Sequence, residues 1–387
     1  MAHRSVHETI PPSIHSVARS GATMMRAASA ALMPLVEARA LLLALAGPVP
    51  SEAIPLSDAP GHVCAEPVLA PRDVPERRRA SRDGYAVAAT ELGGASPYAP
   101  VRLLATPFWV EAGDDLPDGT DAVLPPEGLE GRDAVSDVFV HEGVRERADD
   151  VSSGDVVVAS GERIASRHVL ALALCALSEI RVRRPRVTLI VTGAPGPEAL
   201  SAFLTAAIAR EGGTARTVAV ADSEDAIAAA ILDTDAHAIL VLGGTGFGRT
   251  DRSAAGLSRA GRILAHGIAL RPGETSGIGV AGGRPVILVP GSPEAAMAVF
   301  LTLGRPLMTA LSGGVPPISR RARLRRKIAS GIGLSEVVFG RHGAGEVEPL
   351  GSADLPLRGL IRADAAVLVP PEREGYPEGT EVEVLDL

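Results

Sequence analysis

The chain has 387 residues, 46% of them hydrophobic and 3% aromatic, with a formal net charge of −8. That length allows two to four domains with packed cores, while the charge and the shortage of aromatics argue against a nucleic-acid footprint or base-stacking platforms. A single lysine, Lys327, leaves arginines and backbone N–H groups to build any phosphate clamp, and two cysteines, Cys64 and Cys175, outside any CxxC or Cys/His cluster, argue against a zinc site or disulfide framework.

Residues 1–30 are polar and irregular and are expected to be a mobile tail. The apolar run 24–46 is broken by Arg26, Pro34, Glu37 and Arg39, so it fits neither a signal peptide nor a membrane span, and a cytoplasmic protein is expected. Pro34 suits a first helical turn, and Leu35, Ala38, Leu42 and Leu45 share one face, which predicts an amphipathic helix over 34–46, closed by Gly47-Pro48. From 50 to about 164, short β-type runs alternate with Pro, Gly and Asp turns, the pattern of a β-rich module. Residues 166–178 read as a helix with Ser166 as N-cap.

From Arg186 the texture becomes alternating strand and helix. "RVTLIVTG" (186–193), "TARTVAVAD", "AHAILVLGG" and "RPVILVPG" are apolar runs of buried-strand type, separated by the helical stretches 197–213 and "SEDAIAAAIL" with Ser223 as cap, and by a polar loop and helix. A further helix follows "RPVILVPG". The expected fold class is a doubly wound α/β domain with a mainly parallel sheet, preceded by the β-rich module and followed by a small C-terminal β domain. The basic run "SRRARLRRKIAS" could bind an anionic partner but reads first as a solvated strand or linker face.

Ligands of such sheets bind beyond the carboxyl ends of the strands. Three of these ends, "VTGAPGP" (191–197), "LGGTGFG" (242–248) and "VPGSPEA" (289–295), replace bulky side chains with Gly, Pro and small hydroxyl residues and so admit close backbone approach and anions. Neither the GxGxxG nor the GxxxxGK[ST] spacing is present. Turn aspartates at Asp83 and Asp150 are read first as side-chain caps.

Taken in order, these segments resemble the molybdopterin molybdenumtransferase family, of which the gephyrin C-terminal region is the eukaryotic form, over about residues 33–387. "APRDVPERRRASRDGYAV" is similar to the family's APRD-P…S-MDGYAV, "AGDDLPDGTDAVLPPE" to TGA-LP-GADAVV-QE, "RADDVSSGD" to R-GED---G, "LVLGGTGFGRTD" to ISSGGVSVGE-D, and "LRPGETSGIGVAGGRPVILVPGSPEAA" to KPGKP-FG---GKPV-GLPGNPVSA. The resemblance implies a four-domain homodimer that binds adenylated molybdopterin and molybdate, cleaves the adenylate with Mg²⁺ and inserts molybdenum into the dithiolene. It serves a molybdoenzyme apoprotein and uses neither nucleic acid nor membrane. Matched residue by residue, it places Asp251 in the catalytic centre as metal ligand, with Asp83 and Asp150 in support. It assigns substrate binding to Thr192, Gly193, Gly243, Gly244, Thr245, Gly248, Arg271, Pro290, Gly291, Ser292, Pro293 and Arg82. It also divides the chain into a discontinuous linker and dimerisation domain (31–60 with 152–185), an inserted β domain (61–151), the α/β domain (186–316) and a C-terminal domain (317–387).

Several motif positions depart from the family. Ala194-Pro195 stand where STGDE carries its acids, Ala112 replaces a Thr, Leu242 and Gly246 replace two Ser, Arg82 replaces a Met, and Arg271 and Glu274 replace the lysines of KPGKP. A lost charge-assisted bond to an anion costs about 1.5–3 kcal/mol. Glu274 is expected to repel molybdate or phosphate, whereas Arg82 and Arg271 can stand in for lost cations. These departures raise an alternative activity, a non-catalytic carrier of molybdopterin or finished cofactor, and, as a third class, a scaffold with no ligand, which would not need the glycine-rich turns.

Overall fold

The structure, a computed structural model, describes residues 32–193, 197–246, 252–316 and 319–387. The expectations for the N-terminal tail, Gly248 and Asp251 lie outside the described residues. The chain divides into two compact units, 51–182 and the remainder (1–50 with 183–387).

The larger unit is built on a six-stranded sheet. Strands β1 (Arg186–Thr192), β2 (Thr214–Val220), β3 (Ala238–Leu242), β4 (Arg262–His266), β6 (Gly277–Ala281) and β7 (Arg284–Val289) lie in the order β2-β1-β3-β7-β6-β4. The first four in that order run parallel, and β6 and β4 run antiparallel to their neighbours. Every residue of β3, and all of β1 after Arg186, is buried. Their unbroken aliphatic runs suit strands covered on both faces. Helices α2 (Pro197–Arg210), α3 (Glu224–Leu232) and α4 (Ser253–Ala260) supply the crossovers, and the Ser223 hydroxyl caps α3 by accepting the Ala226 N–H at 3.3 Å. The segment Pro293–Ser312 is one apolar helical run with a π-helical stretch at Phe300–Gly304. It is long and apolar enough to cross a membrane by composition, but 72% of its apolar window is buried inside the fold.

Between β3 and β7 the sequence suggested a polar loop and a helix. The described residues there form α4 and three strands, β4, β5 (Ile268–Arg271) and β6. Gly277 and Gly279 weaken the strand signal in the sequence but let β4 approach. A Cβ on either glycine would lie 2.8 Å or less from a carbonyl oxygen of β4. Strand β5 leaves the α/β sheet and joins a second, seven-stranded sheet, pairing in parallel with Ser335–Gly343 (Leu270 opposite Ser335, Arg271 opposite Glu336). Met33–Pro34 pairs with its other edge.

Helix α1 (Leu35–Leu43) ends three residues sooner than expected. The sequence grouped 31–60 with 152–185, but Leu35, Ala38 and Leu42 bury against Leu270, Leu307 and Leu311 of the larger unit. Residues from Ser51 onward belong to the smaller unit, where strand Ser51–Pro55 adjoins Glu179–Arg183. That unit contains helix Ser166–Leu174 and a three-stranded sheet centred on Gly84–Val87. Ser166 is the first helical residue rather than the cap. Ala165 holds the N-cap position, and its N–H is accepted by His168 Nδ1 at 3.1 Å. Cys64 and Cys175 are fully buried and form no disulfide among the described residues.

Candidate functional site

The strand register fixes where the glycine-rich turns begin. Val191 pairs with Leu242 and Leu242 with Val289, so β1, β3 and β7 end side by side at Thr192, Gly243 and Pro290. Thr192 also pairs with Val220, which puts Asp222 just past the end of the flanking strand β2. The turns are packed too closely for side chains. A Cβ on Gly243 would sit 3.0 Å from the Thr192 carbonyl oxygen, and one on Gly244 would sit 3.3 Å from Thr192 Oγ1 and 3.4 Å from Asp222 Oδ1. Gly193, Gly243 and Gly244 have φ of +90°, +87° and +57°, which glycine adopts without strain. A Cβ on Gly291 would lie 4.0 Å from the Gly243 Cα, so the third turn abuts the second. Thr192 is buried and its hydroxyl donates to the Leu242 carbonyl at 3.3 Å.

Asp222 is a candidate site residue, although the sequence pattern reads it as the tail of a strand. The available signal was a carboxylate immediately beyond the carboxyl end of a parallel strand. With Thr192 and Ser253 it surrounds the position a Gly244 Cβ would take. Among the described residues no group of three or more His, Cys, Asp or Glu is placed to hold a metal. One carboxylate together with ligand phosphate oxygens is a donor set that Mg²⁺ accepts, and Asp222 fits that part.

Arg271 lies elsewhere, at the end of β5, on the wall of a second polar pocket of about 530 Å³ shared with Arg326, Lys327, Glu336 and Ser352. Arg326 donates to Glu348 and to the Pro349 carbonyl, whereas Arg271 and Lys327 pair with no acid among the described residues. The Ser352 hydroxyl is buried without a hydrogen-bond partner and is the one such side-chain atom among the described residues. Glu336, 9% exposed, accepts from the Ser330 hydroxyl at 2.6 Å. The pocket therefore keeps an excess of positive charge. The rest of the basic run behaves as expected of a solvated strand face, with Arg320, Arg321 and Arg325 beside Asp386, Glu381 and Glu346.

Glu274 does not line this pocket. Its carboxylate folds back to accept the Gly273 N–H at 3.0 Å, so the negative charge expected to repel the anion is turned into its own turn.

In the smaller unit, Arg82 points inward and is engaged by neighbours of its own unit. Its guanidinium donates to the Val123 carbonyl and to Glu142 at 3.1 Å. The Phe139 N–H first, and Arg82 second, hold the Glu142 carboxyl below its ordinary range. Asp83 accepts the Ala112 N–H at 2.8 Å and Asp150 pairs with Arg145, so both act locally as turn and ion-pair partners.

A doubly wound sheet with three converging glycine turns, joined to a second β sheet that carries a basic pocket, is the architecture of a multidomain α/β protein of the molybdopterin-binding type. In agreement, residues 33–176 match the MoeA N-terminal region (domain I and II), 188–310 the "Probable molybdopterin binding domain" and 321–387 the MoeA C-terminal region (domain IV). Molybdopterin molybdenumtransferase 2 of Mycobacterium tuberculosis is 30% identical over 388 residues, covering 86% of this chain and 94% of that protein. The Haemophilus influenzae molybdopterin molybdenumtransferase is 25% identical over 73% of this chain and 78% of its own length. The molybdopterin biosynthesis moeA protein of Pyrococcus horikoshii OT3 superposes with a TM-score of 0.76 at 23% identity, over 92% of this chain and all of that one. The chain belongs to the molybdopterin molybdenumtransferase (MoeA) family of molybdenum-cofactor biosynthesis.

Proposed function

We propose that this protein, as a homodimer, binds adenylated molybdopterin at the carboxyl ends of β1, β3 and β7, takes molybdate into the Arg271–Lys327–Ser352 pocket, and couples release of AMP to transfer of molybdenum onto the dithiolene. The observation that carries the reading is the orphaned Ser352 hydroxyl in one pocket with two cations that pair with no acid among the described residues. A buried hydroxyl without a partner is costly unless a ligand satisfies it, and a tetrahedral oxyanion does so while neutralising Arg271 and Lys327. The glycine turns bring backbone close enough to hold phosphate. Mg²⁺, held between Asp222 and the ligand's phosphates, would neutralise charge at the bond to be broken. Asp251, assigned by the family motif, would orient the attacking water. The protein's product would then pass to a molybdoenzyme.

A second reading has its own support. Ala194-Pro195 carry no carboxylate where the family motif has two, which favours a carrier that binds the pterin without cleaving it. Incubation of the purified protein with adenylated molybdopterin, molybdate and Mg²⁺, following AMP and bound pterin together, separates the two. AMP release that is lost in Asp251→Asn, with pterin still bound, is the expected result. Bound pterin with no AMP above background would replace the transferase by the carrier.

A further inference from the structure

The turn that follows β3 is held through its carbonyls. The Gly243 carbonyl accepts the Ser253 hydroxyl at 2.6 Å, the Gly244 carbonyl accepts the Ser253 N–H at 3.0 Å, and the Thr245 carbonyl accepts His266 Nε2–H at 3.0 Å. In a trans peptide the C=O and the following N–H point in opposite directions. Pinning three successive carbonyls therefore turns the N–H groups of Gly244, Thr245 and Gly246 away from Ser253 and His266. None of these three N–H groups donates to an acceptor among the described residues. Successive outward amides form a concave donor set suited to an anion.

Ser253 and His266 come from separate elements, the first turn of α4 and the last residue of β4. Ser253 is fully buried, and His266 is placed opposite Gly277 of β6, where the absence of a side chain lets the two strands close. Both residues meet the turn at its carbonyl oxygens. We propose that His266, with Ser253, is a positioning residue that fixes this turn with its amides presented to the phosphate of the ligand. This deepens, and rests on, the reading of the strand-end cleft as a molybdopterin phosphate site.

The experiment uses the full chain with His266→Ala and His266→Gln, the latter keeping an N–H donor. Two readouts are taken, amide hydrogen exchange of the peptide covering 243–246 without ligand, and equilibrium binding of molybdopterin followed by its fluorescence. Loss of one turn-fixing bond is expected to speed exchange and weaken binding about tenfold in His266→Ala, with His266→Gln within about threefold of wild type. Unchanged exchange and binding in His266→Ala would overturn the proposal. So would a Gln variant as impaired as Ala, since a merely structural imidazole is not rescued by a donor. If wild type binds no molybdopterin, the phosphate-site reading fails by itself, and the exchange arm still decides whether His266 holds the turn. Should His266→Ala not fold, His266→Phe keeps the ring, drops the donor and takes its place.

Discussion

Arg271 and Lys327 share a pocket wall with an unpartnered hydroxyl, and this arrangement sets the expected energetics of anion capture. Each is a free cation among the described residues, so removing one subtracts a charge-assisted bond, about 1.5–3 kcal/mol or roughly ten- to hundredfold in affinity. Arg271→Ala and Lys327→Ala should each weaken molybdate binding by that factor in calorimetry, and Ser352→Ala by less. Glu274→Lys should leave it within about twofold, because the Glu274 carboxylate is turned onto the Gly273 N–H and away from the pocket. Tighter binding in that variant would show that the turn faces the anion after all. Proton linkage at His237 is a second effect at this scale. Its Nδ1 accepts the Arg186 N–H at 2.9 Å, which requires a neutral ring. Burial first, and the Arg186 charge second, push its pKa down, against a smaller opposing pull from Asp235. The unfolded chain then binds the proton more readily than the folded one. The stability from this site is complete above about pH 6.5 and is lost as the pH falls below it. Urea midpoints compared at pH 7.5 and 5.5 should drop less in His237→Asn than in wild type.

Helices α3 and α4 show how an element far from any ligand atom sets the site. Gly256 of α4 lies against Ile227 of α3, and a Cβ there would come within 2.6 Å of Ile227 Cγ2 and 3.2 Å of the Glu224 carbonyl. Glu224 also bonds Arg252 and Arg259 of the α4 segment, and the Arg259 guanidinium is the main cause of its lowered pKa. Gly256→Val would force the helices apart at a cost of about 1–3 kcal/mol. Because Ser253 rides on the same helix, the displacement should reach the 243–246 turn. The expected outcome is a lower melting temperature together with weaker molybdopterin binding. A variant that loses stability with normal affinity would show that the turn does not depend on α4. At this scale the sequence was informative where elements are local. The aliphatic runs of β1, β3 and β7 and the serine cap of α3 announce themselves by composition alone. Strands β4, β5 and β6 do not, since their glycines and short apolar runs gain meaning only from partners far along the chain. The switch of β5 into the second sheet is decided by residues 335–343, and local periodicity carries no trace of it. Asp222 went unassigned for the same reason, because strand order rather than sequence spacing places it beside Gly244.

Across the whole molecule, the family motifs are divided between two units with separate cores. Thr192, Gly243, Gly244 and Arg271 lie in one, while Arg82, Asp83 and Asp150 lie in the other. The sequence motifs do not reveal which of them a single ligand engages, because a motif records kinship and not the direction of a side chain. The local geometry leans one way. Arg82, Asp83 and Asp150 each have a partner inside their own unit, whereas the cleft amides and the Arg271 and Lys327 side chains have none among the described residues. A chain of two units need not unfold in one step, and a ligand stabilises only the unit it contacts, by about 2.7 kcal/mol at a hundredfold excess over Kd. Scanning calorimetry with saturating molybdopterin should therefore raise the transition of the unit containing 183–387 and leave that of 51–182 in place. The transitions can be assigned with Gly256→Val, which lowers the first alone. If both transitions rise together, the turns bearing Asp83 and Asp150 also hold the ligand, and their internal bonds must open or be shared when it binds. In that case Asp83→Ala should weaken binding, whereas the two-unit picture predicts that it costs stability of the 51–182 unit and leaves affinity unchanged.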